Sequence, residues 1–274
     1  MSTSGNSQDQ SANLIESAKK LAAYSAVDKN IDDSIKVFGV GSGSTIVYAF
    51  ERVVELYKMG KINRDIVCVP TSYQSKILIQ KAGLRCSDLD EYPEIDITID
   101  GADEVDEQLN CIKGGGAAHL REKAVAKASK KLVLVADYRK ESKYLGTQWT
   151  SGVPVEVVPF ASEAVLREIS RLTGTTNPFS SLNIDVGLDS STNKMFELDV
   201  PQVSIRTAIR KAGPVITDNG NFVIDAHFGK IFKPELLEFS LKQMTGVVEV
   251  GIFTGVAKEA WFGNVDGSIT TKTV

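Results

Sequence analysis

The sequence predicts an α/β fold, a doubly wound parallel sheet joined to a second, smaller α+β domain. Three observations predict it. Short apolar runs alternate with segments of helical period from Lys36 to Asp137, each run ends in a polar or glycine-bearing turn, and the rhythm changes near Gly152. With 274 residues, 42% of them apolar, the chain can bury one large core or two modest ones.

The opening residues, MSTSGNSQDQSAN, have neither a cationic stretch nor an apolar one, so 1–12 read as a disordered tail rather than a leader. Ala18 to Val27 reads as a helix and KVFGV, Lys36 to Val40, as a short buried strand. GSGST follows, and IVYAFERVVELYKMG then sets Val47, Phe50, Val54 and Tyr57 on one helical face, with Gly60 as the stop. DIVCVPTS is the next strand, YQSKILIQKAG a helix closed by Gly83, and EIDITID a strand ending in acids. A helix from about Ala117 to Ser129 leads to the apolar strand KLVLVAD, ending at Asp137.

Beyond Gly152, VPVEVVPF reads as a strand, SEAVLREISRL as a helix, FVIDAHF as a hairpin arm after an Asn-Gly turn, KPELLEFSLKQM as a helix and VVEVGIF as a strand. With one more strand within MFELDVPQVSIR, this makes a βαββαβ, ferredoxin-like unit. The expected boundaries are 13–150 plus 255–274 for the large domain and 151–254 for the small one, with Thr173–Lys194 a long loop or insertion.

A net charge of −4 leaves no basic face for nucleic acid, and no run approaches the ~18 apolar residues that span a bilayer. Cys68, Cys86 and Cys111 are far apart and never form a C-x-x-C pair, so they read as reduced thiols of a cytoplasmic protein. His119 and His227 have no second His or Cys at ligand spacing, which argues against a metal centre.

In a doubly wound sheet, ligands bind beyond the carboxyl ends of the strands, and here those ends carry GSGST, PTSYQS, DGADE and DYRK. GVGSGST between strand and helix suits phosphate binding, because glycines let backbone N–H groups approach an anion at the positive end of a helix. An ordinary tight turn with a Ser/Thr cap would look the same. The dinucleotide fingerprint fits less well: Ser44 stands at its third glycine, and the next strand ends in Thr71 and Ser72 instead of the ribose-binding acid.

IDGADEVD departs from the calcium-loop pattern because its glycine directly follows Asp100, and Gly101 allows a turn that aims Asp100 and Asp103 the same way. KGGGAAHLREK sets Lys113 before a flexible anion-binding turn and Glu122 early in a helix, with His119 a rival base three residues ahead of it. Each stretch alone could be a solvated loop. Together, a base, acids, a lysine and backbone donors fit proton transfer beside a carbonyl, as in aldose–ketose isomerisation. Beyond another strand end, at Asp137, a basic cluster with Lys140 reads either as solvated surface or as the completion of a phosphate site.

GSGST, DGADEVDEQLNCIKGGGAAHLREK, VADYRKESKYLG, PVEVVPF, TDNGNFVID and GVVEVGIF, in this order from about Lys19 to Gly267, closely resemble ribose-5-phosphate isomerases of the A type. The resemblance implies a Rossmann-like domain with a smaller α+β domain, a homodimer or homotetramer, and no cofactor or metal. It implies interconversion of ribose 5-phosphate and ribulose 5-phosphate in the pentose phosphate pathway. It assigns Glu122 as the proton-abstracting base and Asp100, Asp103 and Lys113 as substrate and transition-state contacts. Ser42, Gly43, Ser44, Thr45, Gly114, Gly115, Gly116 and Lys140 match substrate-binding positions, and Lys19 matches a first-helix lysine that reaches the phosphate. The chain departs from the pattern at His119 and in the length of 173–194. Two other readings stay open on the residues alone, an NAD(P)-dependent dehydrogenase and a sugar-phosphate-sensing module without turnover.

Overall fold

A computed structural model describes residues 5–175 and 194–274, and the insertion expected over Thr173–Lys194 lies almost wholly outside them. The chain divides into two compact units. The first comprises residues up to Ala102 together with Arg121–Glu141 and Val256–Val274; the second comprises Asp103–Leu120 and Ser142–Gly255.

The first unit is built on one sheet. Its strands are β1 (Val37–Val40), β2 (Val67–Pro70), β3 (Arg85–Cys86), β4 (Ile97–Asp100), β7 (Leu132–Asp137), β13 (Ala257–Gly263) and β14 (Ile269–Thr273). They lie in the order β14-β13-β7-β4-β1-β2-β3, all pairs parallel except β13 with β14. The winding reverses between β1 and β4, which makes their carboxyl ends the crevice of the sheet.

Alternation along the strands sorts the two faces. Phe38, Val40, Ile97, Ile99, Val133 and Val135 pack with helices α1 (Gly5–Asn30), α2 (Ser44–Lys58) and α3 (Tyr73–Ala82). Val69 packs on the opposite face with Val125 of α4 (His119–Ala128). The sheet is therefore covered on both sides. Between them, Gly39 is pressed so closely that a Cβ would meet Thr98 Oγ1 at 1.8 Å and Val125 at 2.9 Å.

Two expectations change here. Helix α1 begins at Gly5 rather than Ala18, so it takes in most of the segment expected as a tail. In α2 the buried face is Ile46, Ala49, Phe50, Val53 and Leu56, while Val47 is exposed. The i, i+3, i+4, i+7 stripe through Ile46 is one residue out of phase with the one through Val47.

The second unit contains the expected βαββαβ. Its strands β8 (Val153–Val157), β9 (Gln202–Ile205), β10 (Phe222–His227) and β11 (Val247–Val250) form an antiparallel sheet in the order β11-β8-β10-β9. Helices α5 (Ser162–Ile169) and α6 (Pro234–Lys242) pack on one face through Val165, Ile169, Leu237 and Leu241. That order is the ferredoxin-like one.

A small sheet was not expected. β5 (Glu104–Val105), β6 (Cys111–Ile112) and β12 (Ile252–Phe253) pair antiparallel in the order β12-β6-β5. This pairing ties 103–120 to the chain around Gly251, where Lys113 N–H donates to the Gly251 carbonyl at 2.8 Å. The units therefore divide inside the 13–150 span expected as one domain.

Helix α1 approaches the sheet through small residues, with Ala18, Ala22, Ala23 and Ala26 buried. Opposite, a Cβ on Gly263 would stand 1.9 Å from the Ala18 carbonyl oxygen. Gly263→Ala should therefore cost about 1–3 kcal/mol by forcing α1 off β13. Urea denaturation checks this, and an unchanged midpoint would contradict the packing.

Candidate active site

In the first unit the site grows from the turn after β1. Gly41 has no room for a side chain: a Cβ would stand 2.2 Å from Asp100 Oδ1 and 2.6 Å from the Asp100 Cα. That close approach lets Ser42 N–H donate to Asp100 Oδ1 at 2.9 Å, and Gly101 N–H donates to the same oxygen at 2.7 Å. Asp100 is fully buried at the end of β4.

The Ser42 hydroxyl is bound on its other side, donating to Ser72 Oγ at 2.6 Å and sharing a 2.7 Å hydrogen bond with Thr71 Oγ1. Gly43 takes φ 103° as the N-cap of α2, and its N–H donates to Gln74 Oε1 at 2.9 Å. The first N–H groups of α2 then have no acceptor within their own helix, as at any helix start, and they carry its positive dipole end. Gly43 and Ser44 are exposed and Thr45 half-buried. From α1, Lys19 Nζ reaches Ser44 Oγ at 3.1 Å and is held by Glu16 at 2.8 Å. These groups together suit a small phosphate.

Lys140 closes a 3-10 turn, Tyr138–Lys140, directly after β7. Asp137 caps that turn and is engaged by Arg139 at 2.6 and 3.1 Å. Burial alone would raise the Asp137 carboxyl, but Arg139 outweighs it and holds the group below the ordinary carboxylate range. Glu122 lies in the first turn of α4 and is 5% exposed.

In the second unit the glycine loop is tightly built. Asp103 Oδ2 accepts Gly115 N–H at 2.7 Å. Gly114 has φ 103°, and the place of its missing Cβ is taken by the His119 ring, with Nδ1 at 2.6 Å. His119 is fully buried there. A Cβ on Gly115 would meet the Asp103 carboxylate at 2.8 Å and Trp149 at 2.9 Å, whereas Gly116 is exposed with open space around it. Lys113 is 2% exposed, its Nζ 5.6 Å from the centre of the Phe253 ring.

The structure sorts the four acids of DGADEVD. Asp100 and Asp103 hold glycine turns. Glu104, fully buried, accepts the backbone N–H groups of Gly146, Thr147 and Gln148 at 2.7–3.1 Å, and Asp106 accepts those of Gln108 and Asn110. These two are scaffold. Trp149, against Gly115, carries no local motif in the sequence, and Thr71 and Ser72 are visible there only as the ending of a strand.

All three cysteines are free thiols, and burial pushes Cys68 up to about 12. Among the described residues, no group of three or more His, Cys, Asp or Glu side chains could hold a metal ion, and no helix is long and apolar enough to cross a membrane.

Fold and site together define a doubly wound α/β protein with a glycine turn, a helix start and the buried Asp100 carboxylate at its switch point. The comparisons are more specific. The sequence matches the family described as ribose 5-phosphate isomerase A (phosphoriboisomerase A) over residues 67–200 and 183–267. It is 50% identical over 260 residues to a ribose-5-phosphate isomerase of Cryptococcus neoformans, covering 94% of this chain and 80% of that protein. With the Candida albicans enzyme it shares 46% over 264 residues, covering 95% and 98%.

Among solved structures, the Plasmodium falciparum ribose 5-phosphate isomerase superposes with a TM-score of 0.80 at 32% identity, covering 94% of this chain and 99% of that one. A D-ribose-5-phosphate isomerase in complex with phospho-erythronic acid gives 0.77 at 37%, covering 93% and 97%. The chain belongs to the ribose 5-phosphate isomerase A family.

The scaffold role of Glu104 can be checked directly. Glu104→Gln replaces a charged acceptor of three backbone N–H groups by an amide and should lower stability by roughly 1.5–3 kcal/mol. The measurement is the urea midpoint, and a variant as stable as the parent would contradict the assignment.

Proposed function

We infer that the protein interconverts D-ribose 5-phosphate and D-ribulose 5-phosphate, the reaction of its family in the pentose phosphate pathway. The observation that carries this reading is the switch point, where Asp100 fixes the Ser42 N–H beside a hydroxyl-lined helix start reached by Lys19. The dehydrogenase reading loses support at the same place. Ser44 there bonds Lys19, and the end of β2 gives its Thr71 and Ser72 hydroxyls to Ser42 in place of an acid for a ribose.

The substrate phosphate binds Ser42–Thr45, Lys19 and Lys140. Asp100 assists opening of the furanose ring, giving the C1 aldehyde. The Glu122 carboxylate takes the proton from C2, the C2–H electron pair forms the C1–C2 double bond, and the C1 carbonyl oxygen takes up the charge of an enediolate. Lys113 and the N–H groups of Gly114 and Gly116 stabilise that charge, while Asp103, held by the Gly115 N–H, orients hydroxyls. Glu122 returns the proton to C1, and a proton moves from O2 to O1, leaving the C2 ketone. No proton, electron or cofactor is left over. The enzyme works in the cytoplasm as a homodimer or homotetramer, as the family resemblance implies.

Glu122→Gln keeps shape and removes proton affinity, so turnover should fall by about 10²–10⁴ while substrate still binds. Near-normal turnover would transfer the role to another base, with His119 first in line. Lys140→Ala should cost roughly 1.5–3 kcal/mol, about ten- to hundredfold in kcat/KM on ribose 5-phosphate. Unphosphorylated ribose never makes that contact, so residual activity on it should be unchanged. Equal losses on both substrates would contradict the phosphate placement.

A further inference from the structure

Arg206 follows β9 and takes no part in the reading above. Its guanidinium forms a fork on Asp225 of β10, with Nε to Oδ2 at 2.8 Å and Nη2 to Oδ1 at 2.5 Å. The remaining nitrogen, Nη1, donates to two successive backbone carbonyls of the glycine loop, Gly114 at 2.9 Å and Gly115 at 3.0 Å. The arginine is itself anchored, since its N–H donates to the Val223 carbonyl and its carbonyl accepts from Val215.

A planar trans peptide points its C=O and the next N–H in opposite directions. Drawing the Gly114 carbonyl to Arg206 therefore turns Gly115 N–H the other way, where it meets Asp103 Oδ2 at 2.7 Å. Drawing the Gly115 carbonyl to Arg206 likewise turns Gly116 N–H away from the arginine. Glycine tolerates either orientation of such a plane, so the sequence GGG alone leaves both open. A further brace, Ala117 N–H to the Gly114 carbonyl at 2.9 Å, acts on the first plane only.

We propose that Arg206, held by Asp225, is a positioning residue that sets the two peptide planes of the glycine loop, the first fixing Gly115 N–H on Asp103 and the second aiming Gly116 N–H as a donor to the enediolate. The inference rests on the isomerase reading and deepens it. Preorganised donors matter most where charge develops, so the effect belongs to the transition state. Lysine cannot substitute: a single ammonium lacks the fork that reaches a carboxylate and two carbonyls together.

The test compares Arg206→Met and Arg206→Lys with the parent for kcat, KM and thermal stability, and measures binding of phospho-erythronic acid and of inorganic phosphate by calorimetry. Both variants should lose kcat by about 10- to 100-fold with KM little changed. Affinity for phospho-erythronic acid, which has a carboxylate as well as a phosphate, should fall, while inorganic phosphate binds as before. Folded variants with parental kcat would overturn the proposal, as would equal losses of affinity for both ligands. Should Arg206→Met not fold, Asp225→Asn releases the fork with a near-isostere and is judged by the same split. A parent protein without isomerase activity would strike the activity reading instead, and the ratio of the two affinities would still decide the role of Arg206.

Discussion

The Asp100 carboxylate is the constraint around which the first unit is organised. One of its oxygens accepts two backbone N–H groups from different turns, Ser42 after β1 and Gly101 after β4, at 2.9 and 2.7 Å. Buried polar groups are costly unless bonded, so this oxygen fixes both turns at once. The arrangement demands Gly41, because any side chain there would collide with the Asp100 backbone. From it follow the orientation of Ser42 toward Thr71 and Ser72 and the entry of α2, a turn built by backbone as much as by side chains.

The second unit repeats the logic with other residues. Asp103 holds Gly115 as Asp100 holds Ser42, and in both turns glycine is required by a carboxylate lying where a Cβ would be. Two acids three residues apart thus perform similar work on separate units of the fold. The chain crosses between those units directly after Ala102 and returns at Arg121, within the first turn of α4. Asp103, Lys113 and the glycine loop accordingly belong to one unit, Asp100 and Glu122 to the other.

Much of this is legible in the sequence because the signals are strong ones. LVLVAD is an apolar run that only a doubly covered strand tolerates, DITID alternates apolar with polar residues, and Gly83 closes α3 in the left-handed conformation that its place after QKA suggests. The βαββαβ order follows from period and turn residues. What escapes is whatever lacks a period. β5, β6 and β12 have two residues each, too few to alternate, so their sheet and the domain boundary it sets are invisible. The phase of α2 is misread because Val47 and Ile46 are equally apolar and only packing distinguishes them. Composition likewise treats the acids of DGADEVD as equals; their roles emerge only from which N–H groups each one meets. Arg206 lies ninety-odd positions beyond the carbonyls it binds and belongs to no motif.

The central claim is that these turns serve proton transfer on a sugar phosphate and not binding alone. Following ribose 5-phosphate with the purified protein by NMR in deuterium oxide, with no cofactor added, tests it most directly. The account predicts that ribulose 5-phosphate appears until both sugars stand at equilibrium. Ribose 5-phosphate that binds but yields no ketose at any protein concentration would contradict it.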